Sequence, residues 1–222
     1  MKSLLKITSI VLISLLALNT YAQKAPKPFE GIIKYAIDIE GDEVDAATRA
    51  QLPSEIAVYY KGTKNRVDMV TPLYSIFTIS DTEDGSLTQM FDMMGQQFYV
   101  VQTAEQMAEL KGEETEKPQI EFIDETKRIA GYDCKKAEIH NGDDIMEVYY
   151  CNDLNIPRDE NSQYQVEGID GILMEYSVEQ QGMYMKFSVK EIVKKKQKAS
   201  LFKVPAEFEK KTMEELGTMF GG

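Results

Sequence analysis

Alternation constrains this chain more than any other feature. Residues 29–40 read FEGIIKYAIDIE. In an extended backbone this puts Phe29, Ile33, Tyr35, Ile37 and Ile39 on one side and Lys34, Asp38 and Glu40 on the other. A period of two marks a half-buried strand. The pattern returns at 171–179, aligning Ile172, Met174, Tyr176 and Val178, and at 183–189, aligning Met183, Met185, Phe187 and Val189. Residues 180–182 turn between them, making one long hairpin. Runs rich in aromatic and β-branched residues at 55–61, 66–70, 73–80, 87–93, 97–102, 119–128, 134–140, 145–151 and 201–204 add further strands. Gly62, Asp84-Gly85 and Gly95 punctuate them. Short helices are expected at 45–52, stopped by Pro53, at 104–110, and from Pro205 onward, carrying Phe208, Met213 and Leu216. Sequential hairpins call for antiparallel pairing. The expected fold is mainly β (α+β): a curved antiparallel sheet or incomplete β-barrel with one or two helices on its concave face.

The first residues are a secretory leader in pattern. Lys2 and Lys6 precede an apolar run at 7–18, and Thr20-Tyr21-Ala22 offers small residues for a cut after Ala22. The run is too short for a stable membrane span. No cysteine stands at the cut, so lipid anchoring is not expected. An exported protein is predicted, periplasmic or extracellular, with residues 23–222 as a single domain. Loss of the leader removes two lysines and no acid, taking the net charge from −12 to −14. That charge repels nucleic acid and anionic lipid headgroups.

Chemical motifs are sparse. Cys134 and Cys151 flank a hairpin turning at 141–144. Opposed positions in an antiparallel hairpin have residue numbers of constant sum, and Cys134 with Cys151 shares that sum with His140 and Ile145. They are predicted to face each other within disulfide reach; a two-residue turn at 141–142 would make them diagonal. Export favours the bond over a redox or metal-binding role, since the spacing is neither CxxC nor a zinc pattern. His140 is the single histidine and reads as an exposed strand-end residue. The stretch from Asp81 to Gly85 has the look of a calcium loop, but Gly85 and Asp92 stand where a fifth-position ligand and a twelfth-position Glu belong. The chain has no Trp to line a saccharide cleft. Lys194 to Lys196 with Lys198 read as a solvated strand end. Neither catalytic residues, a metal nor a cofactor is expected. Twelve methionines are an enrichment, open to three readings: core packing, a copper site, or an adaptable apolar cavity. The cavity candidates are Met174, Tyr176, Met183, Met185, Phe187 and Val189.

Several short motifs carry a resemblance. They are Phe29-Glu30-Gly31, Tyr60-Lys61-Gly62 followed by Arg66, residues 129–137 (IAGYDCKKA), Tyr149-Tyr150, and Phe202-Lys203-Val204-Pro205. Together they make the chain resemble a family of secreted bacterial domains of unknown function. That family is distantly similar to the periplasmic lipoprotein carriers and receptors of Gram-negative envelopes. The resemblance implies an incomplete barrel closed by helices over a hydrophobic cavity, without catalytic residues. The function expected on this basis is non-enzymatic binding of an apolar or amphipathic ligand, a lipid or lipoprotein acyl chain. The alternatives are an interaction module with a filled core, partnered by another envelope protein, and an unrecognised hydrolase.

Overall fold

Turn chemistry sets the course of the chain. Met94-Gly95 have φ of 54° and 88°, and Ala130-Gly131 have φ of 47° and 87°. Two consecutive left-handed residues make the two-residue turn whose twist suits a hairpin. The structure is a computed structural model and describes residues 27–41, 44–111, 117–142, 144–180 and 182–220. The leader and its cut after Ala22 lie outside the described residues.

The strands are β1 Gly31–Glu40, β2 Glu55–Lys61, β3 Lys64–Val70, β4 Tyr74–Asp81, β5 Ser86–Met93, β6 Gln96–Gln102, β7 Gln119–Ile129, β8 Tyr132–Asn141, β9 Asp144–Cys151, β10 Ile172–Gln180, β11 Met183–Lys194 and β12 Glu209–Lys210. They form one curved, open sheet in the order β12-β6-β5-β4-β3-β2-β1-β11-β10-β9-β8-β7. Two antiparallel meanders, β1–β6 and β7–β11, are thus sewn together by β1 and β11. Among the described residues the sheet does not close, with β7 and β12 as its two edges, so of the two forms expected it is the curved open sheet and not a barrel. Among the described residues three short helices accompany it, α1 Ala46–Arg49, α2 Ala104–Lys111 and α3 Met213–Phe220.

One sheet face holds the main core. Ile33 and Tyr35 on β1, Val58 on β2 and Val148 on β9 are fully buried there. The connection between β9 and β10 folds back over this face. Tyr164 stacks on Tyr35 with ring centroids 4.8 Å apart, and the Tyr35 hydroxyl donates to the Leu173 carbonyl at 2.8 Å. Asp159, buried on the same connection, accepts from Asn65 Nδ2 at 2.6 Å and Ser80 Oγ at 2.7 Å. A buried carboxylate needs such donors, and these two fasten the connection to β3 and β4. Gly31 permits another close approach: a Cβ there would lie 2.3 Å from the Val193 carbonyl oxygen.

The C-terminal segment departs from expectation. Residues 201–204 are not a strand; a 3-10 turn, Ala199–Phe202, presses Phe202 onto Ile79 and Met90 on the opposite face. Arg66 fixes it by donating to the Leu201 carbonyl at 2.9 Å. No helix starts at Pro205. A turn at Ala206-Glu207, closed by Phe208 N donating to the Pro205 carbonyl at 3.2 Å, leads instead to β12, which pairs in parallel with β6. Helix α3 begins only after a reciprocal cap, in which Thr212 N donates to Glu215 Oε2 at 2.7 Å and Glu215 N to Thr212 Oγ1 at 3.2 Å. Its Leu216 then packs on Phe98 and Val100. This strap therefore wraps the β6 edge from one face to the other.

The disulfide is a second correction. The β8–β9 ladder keeps the expected register, with His140 opposite Ile145, but its last pair is Lys135 with Tyr150, one step short of the cysteines. Cys151 instead enters the β9–β10 ladder opposite Ile172, while Cys134 Sγ lies 3.5 Å from the Tyr132 carbonyl oxygen. Both are buried free thiols. Their mutual hydrogen bond, with burial added, pushes the Cys134 thiol up.

Candidate functional site

Two concavities share a wall. The first is an apolar hollow of about 550 Å³ on the Tyr35 face. Of the six expected cavity residues, Tyr176, Met183, Met185 and Phe187 line it. Met174 and Val189 do not; they are buried in the core. The reason for Met174 is a bulge. The β9–β10 register shifts between Leu173 and Glu175, so Leu173 and Met174 are both buried and simple alternation fails at this point.

The second is a cleft of about 1080 Å³ between β9 and β10. Its walls carry Glu147, Tyr149, Glu175, Glu179, Tyr184 and Lys186. Glu175 is the best-organised group in it. Its carboxylate accepts from Lys127 Nζ at 2.6 Å and from Ser188 Oγ at 3.2 Å, and Lys186 Nζ lies 3.4 Å away. Burial raises its pKa, but the Lys127 hydrogen bond and the two lysine charges outweigh that, and the net shift is downward. Glu175 is held ionised, ready to accept hydrogen bonds and unsuited to act as an acid near neutral pH. Lys127 also sits 5.0 Å from the Tyr149 ring centre, and the Tyr149 hydroxyl donates to Glu125.

A third cluster lies on β7 and β8. His140 Nε2 is 3.9 Å from Glu121 Oε2 and 3.8 Å from Glu138 Oε2. It is buried with no hydrogen-bond partner. The imidazole is half-buried rather than exposed. Three donors fall short of the four that a closed zinc site takes. Asp81, first residue of the calcium-like stretch, is buried and bonded to Lys64.

Of the cleft residues the sequence singles out Tyr176, as a cavity candidate, and Tyr149, in a short motif, but not the charged ones. Glu175 and Lys186 alternate with apolar neighbours and read as a wet outer face. Lys127 belongs to a different hairpin, so only the register between hairpins brings it to Glu175.

The comparisons bear on what this arrangement does. The family model for the N-glycanase peptide, N-terminal domain, matches residues 78–217. The chain belongs to this family. Two structures of PNGF-II, in space groups C2 and P21, share its fold. Their TM-scores are 0.51 and 0.54, at 16% and 15% identity, over 86% and 87% of this chain. The matched part is 32% and 33% of PNGF-II, so the chain spans about a third of that protein's length. No curated protein matches the chain.

Membership in the N-glycanase N-terminal family overturns the carrier resemblance. With it go the lipid or acyl-chain ligand, the lipid partner and the non-enzymatic assignment. The physical reason lies in the motifs. Gly62 opens the β2–β3 hairpin turn and Ala130-Gly131 makes the β7–β8 turn, and any meandering sheet of this twist needs such turns. They specify the sheet and carry no information about its ligand. Among the described residues no helix is long and apolar enough to cross a membrane.

Proposed function

We propose that this chain takes part in the enzymatic release of asparagine-linked glycans, as the module that engages the glycoprotein. The observation that carries the reading is the family match over residues 78–217. The cleft supports it. Its ionised Glu175, the further carboxylates of Glu147 and Glu179, and the rings of Tyr149 and Tyr184 offer acceptors and flat apolar surface to a polar guest. An acyl chain would cover these charged groups with apolar surface, at a cost in lost hydration.

The test uses the full chain and one glycoprotein in two forms, bearing its asparagine-linked glycan and freed of it. The glycosylated form should bind at least roughly tenfold more tightly. Equal binding of both forms, or binding of neither, would exclude the reading. Mass spectrometry of the same mixtures reads glycan release, and release by this chain alone would place the cleavage chemistry within it. Export fits the same role, and the leader ending at Ala22 supports it. Protein recovered outside the cytoplasm should begin at Gln23; a start at Met1 would exclude that cut.

A further inference from the structure

Strands β9 and β10 are neighbours for only half their length. Among the described residues their ladder runs from Ile172 opposite Cys151 to Tyr176 opposite Val148 and no further. Beyond that point each strand keeps its outer partner: residues 177–180 pair with β11, and residues 144–147 pair with β8. Each segment is therefore paired on one side only. The two unpaired edges face each other across the cleft, which is why residues of both parities, Met146 and Glu147, Ser177 and Val178, line it.

This differs from the two outer edges of the sheet. An outer edge offers one row of backbone donors and acceptors, whereas the cleft offers two rows facing inward. An extended chain lying between them could hydrogen-bond on both sides. Four residues on each wall at about 3.3 Å per residue make a slot roughly 13 Å long. The two sides of the slot differ in character. Met146, Tyr176 and Val178 line both the cleft and the apolar hollow, while Glu147, Glu175 and Glu179 are acidic. Glu147 and Glu179 are exposed on its acidic side.

We propose that the cleft between β9 and β10 takes an extended segment of glycoprotein polypeptide as an inserted strand, selected for alternating apolar and basic side chains. Main-chain hydrogen bonds to residues 145–147 and 177–179 hold it. Its apolar side chains enter the hollow and its basic ones meet the acidic walls. The source of the segment rests on the glycoprotein reading; its conformation rests on the interrupted ladder alone.

The probe is a short acetylated peptide alternating valine and lysine, titrated into the full chain. It should bind saturably, and N-methylation of its alternate amides should weaken binding at least about tenfold. Amide hydrogen exchange should slow at 145–147 and 177–179 on binding. Glu147→Lys with Glu179→Lys, both at exposed positions, should shift preference to a peptide alternating valine and glutamate. Equal binding by the N-methylated peptide, or by a peptide of the same composition in valine and lysine blocks, would overturn the proposal. So would protection elsewhere in the sheet, or displacement of the peptide by free high-mannose oligosaccharide. If no peptide binds while glycosylated protein still binds preferentially, strand insertion fails and the glycoprotein reading stands. If the peptide binds as described while glycosylation makes no difference, insertion stands and that reading fails.

Discussion

The two meanders of the sheet are built to different standards. From β1 to β6 every antiparallel ladder runs without a break in register, from Gly31 opposite Tyr60 through Met93 opposite Gln96. In the other half and at its seam with the first, register shifts occur at β1–β11, β9–β10 and β7–β8, and β9 parts from β10 beyond Tyr176. Bulges re-aim side chains and end pairing. The first half is a scaffold pinned on both faces; the second has given up ladder continuity, and the cleft lies there.

If the regular half is the scaffold, its strap should matter most. Phe202→Ala removes a buried ring from Ile79 and Met90 and should cost about 3–5 kcal/mol in urea unfolding. A loss below about 1 kcal/mol would show that the strap is not part of that scaffold. Next comes the tie between the halves. Asp159→Ala strands the Asn65 and Ser80 side chains in the interior and should cost about 2–3 kcal/mol. An unchanged unfolding midpoint would break the view that this connection is fastened at Asp159.

A smaller effect, dependent on pH, is expected at the cleft. The Glu175 carboxyl titrates near 4.5 when unfolded and lower when folded. As pH falls, the unfolded state takes up the proton first. The stability Glu175 contributes is therefore complete above pH 4.5 and drains away as pH drops through the folded value. Glu175→Gln should lower the unfolding midpoint at pH 7 by less than Asp159→Ala does, and the gap from the parent should shrink toward pH 3. A gap that widens on acidification would contradict the lysine clasp. The smallest change is a gain. Met94 is exposed and left-handed, and Met94→Asn should add about 0.5 kcal/mol, since Asn tolerates that conformation better. A loss at this site would mean that the turn is not under strain.

Strands were legible because period-two alternation survives wherever one face is wet, as in Phe29 to Glu40. The register of the β8–β9 hairpin was legible because it depends on one turn. What failed depended on longer-range events. The disulfide is absent although the shared register brings the two thiols into hydrogen-bonding contact. Met174 followed alternation in the sequence but sits at a bulge created by β9. The start of α3 is legible in principle, as Thr212 with Glu215 is a capping pair, but Pro205 upstream is an equally good helix-opening signal. The cleft could not be read at all. Whether two strands separate after Tyr176 is decided by their outer partners, not by their own residues.

The strap has a further consequence during synthesis. Strand β6 leaves the ribosome long before Glu209 and Lys210, and β1 long before β11. Until the later residues arrive, both strands present bare hydrogen-bonding edges to whatever chain lies nearby. The nascent protein thus passes through a stage in which half a sheet exists with neither border sealed. Its yield should depend on how quickly translation and holding factors carry it past that stage.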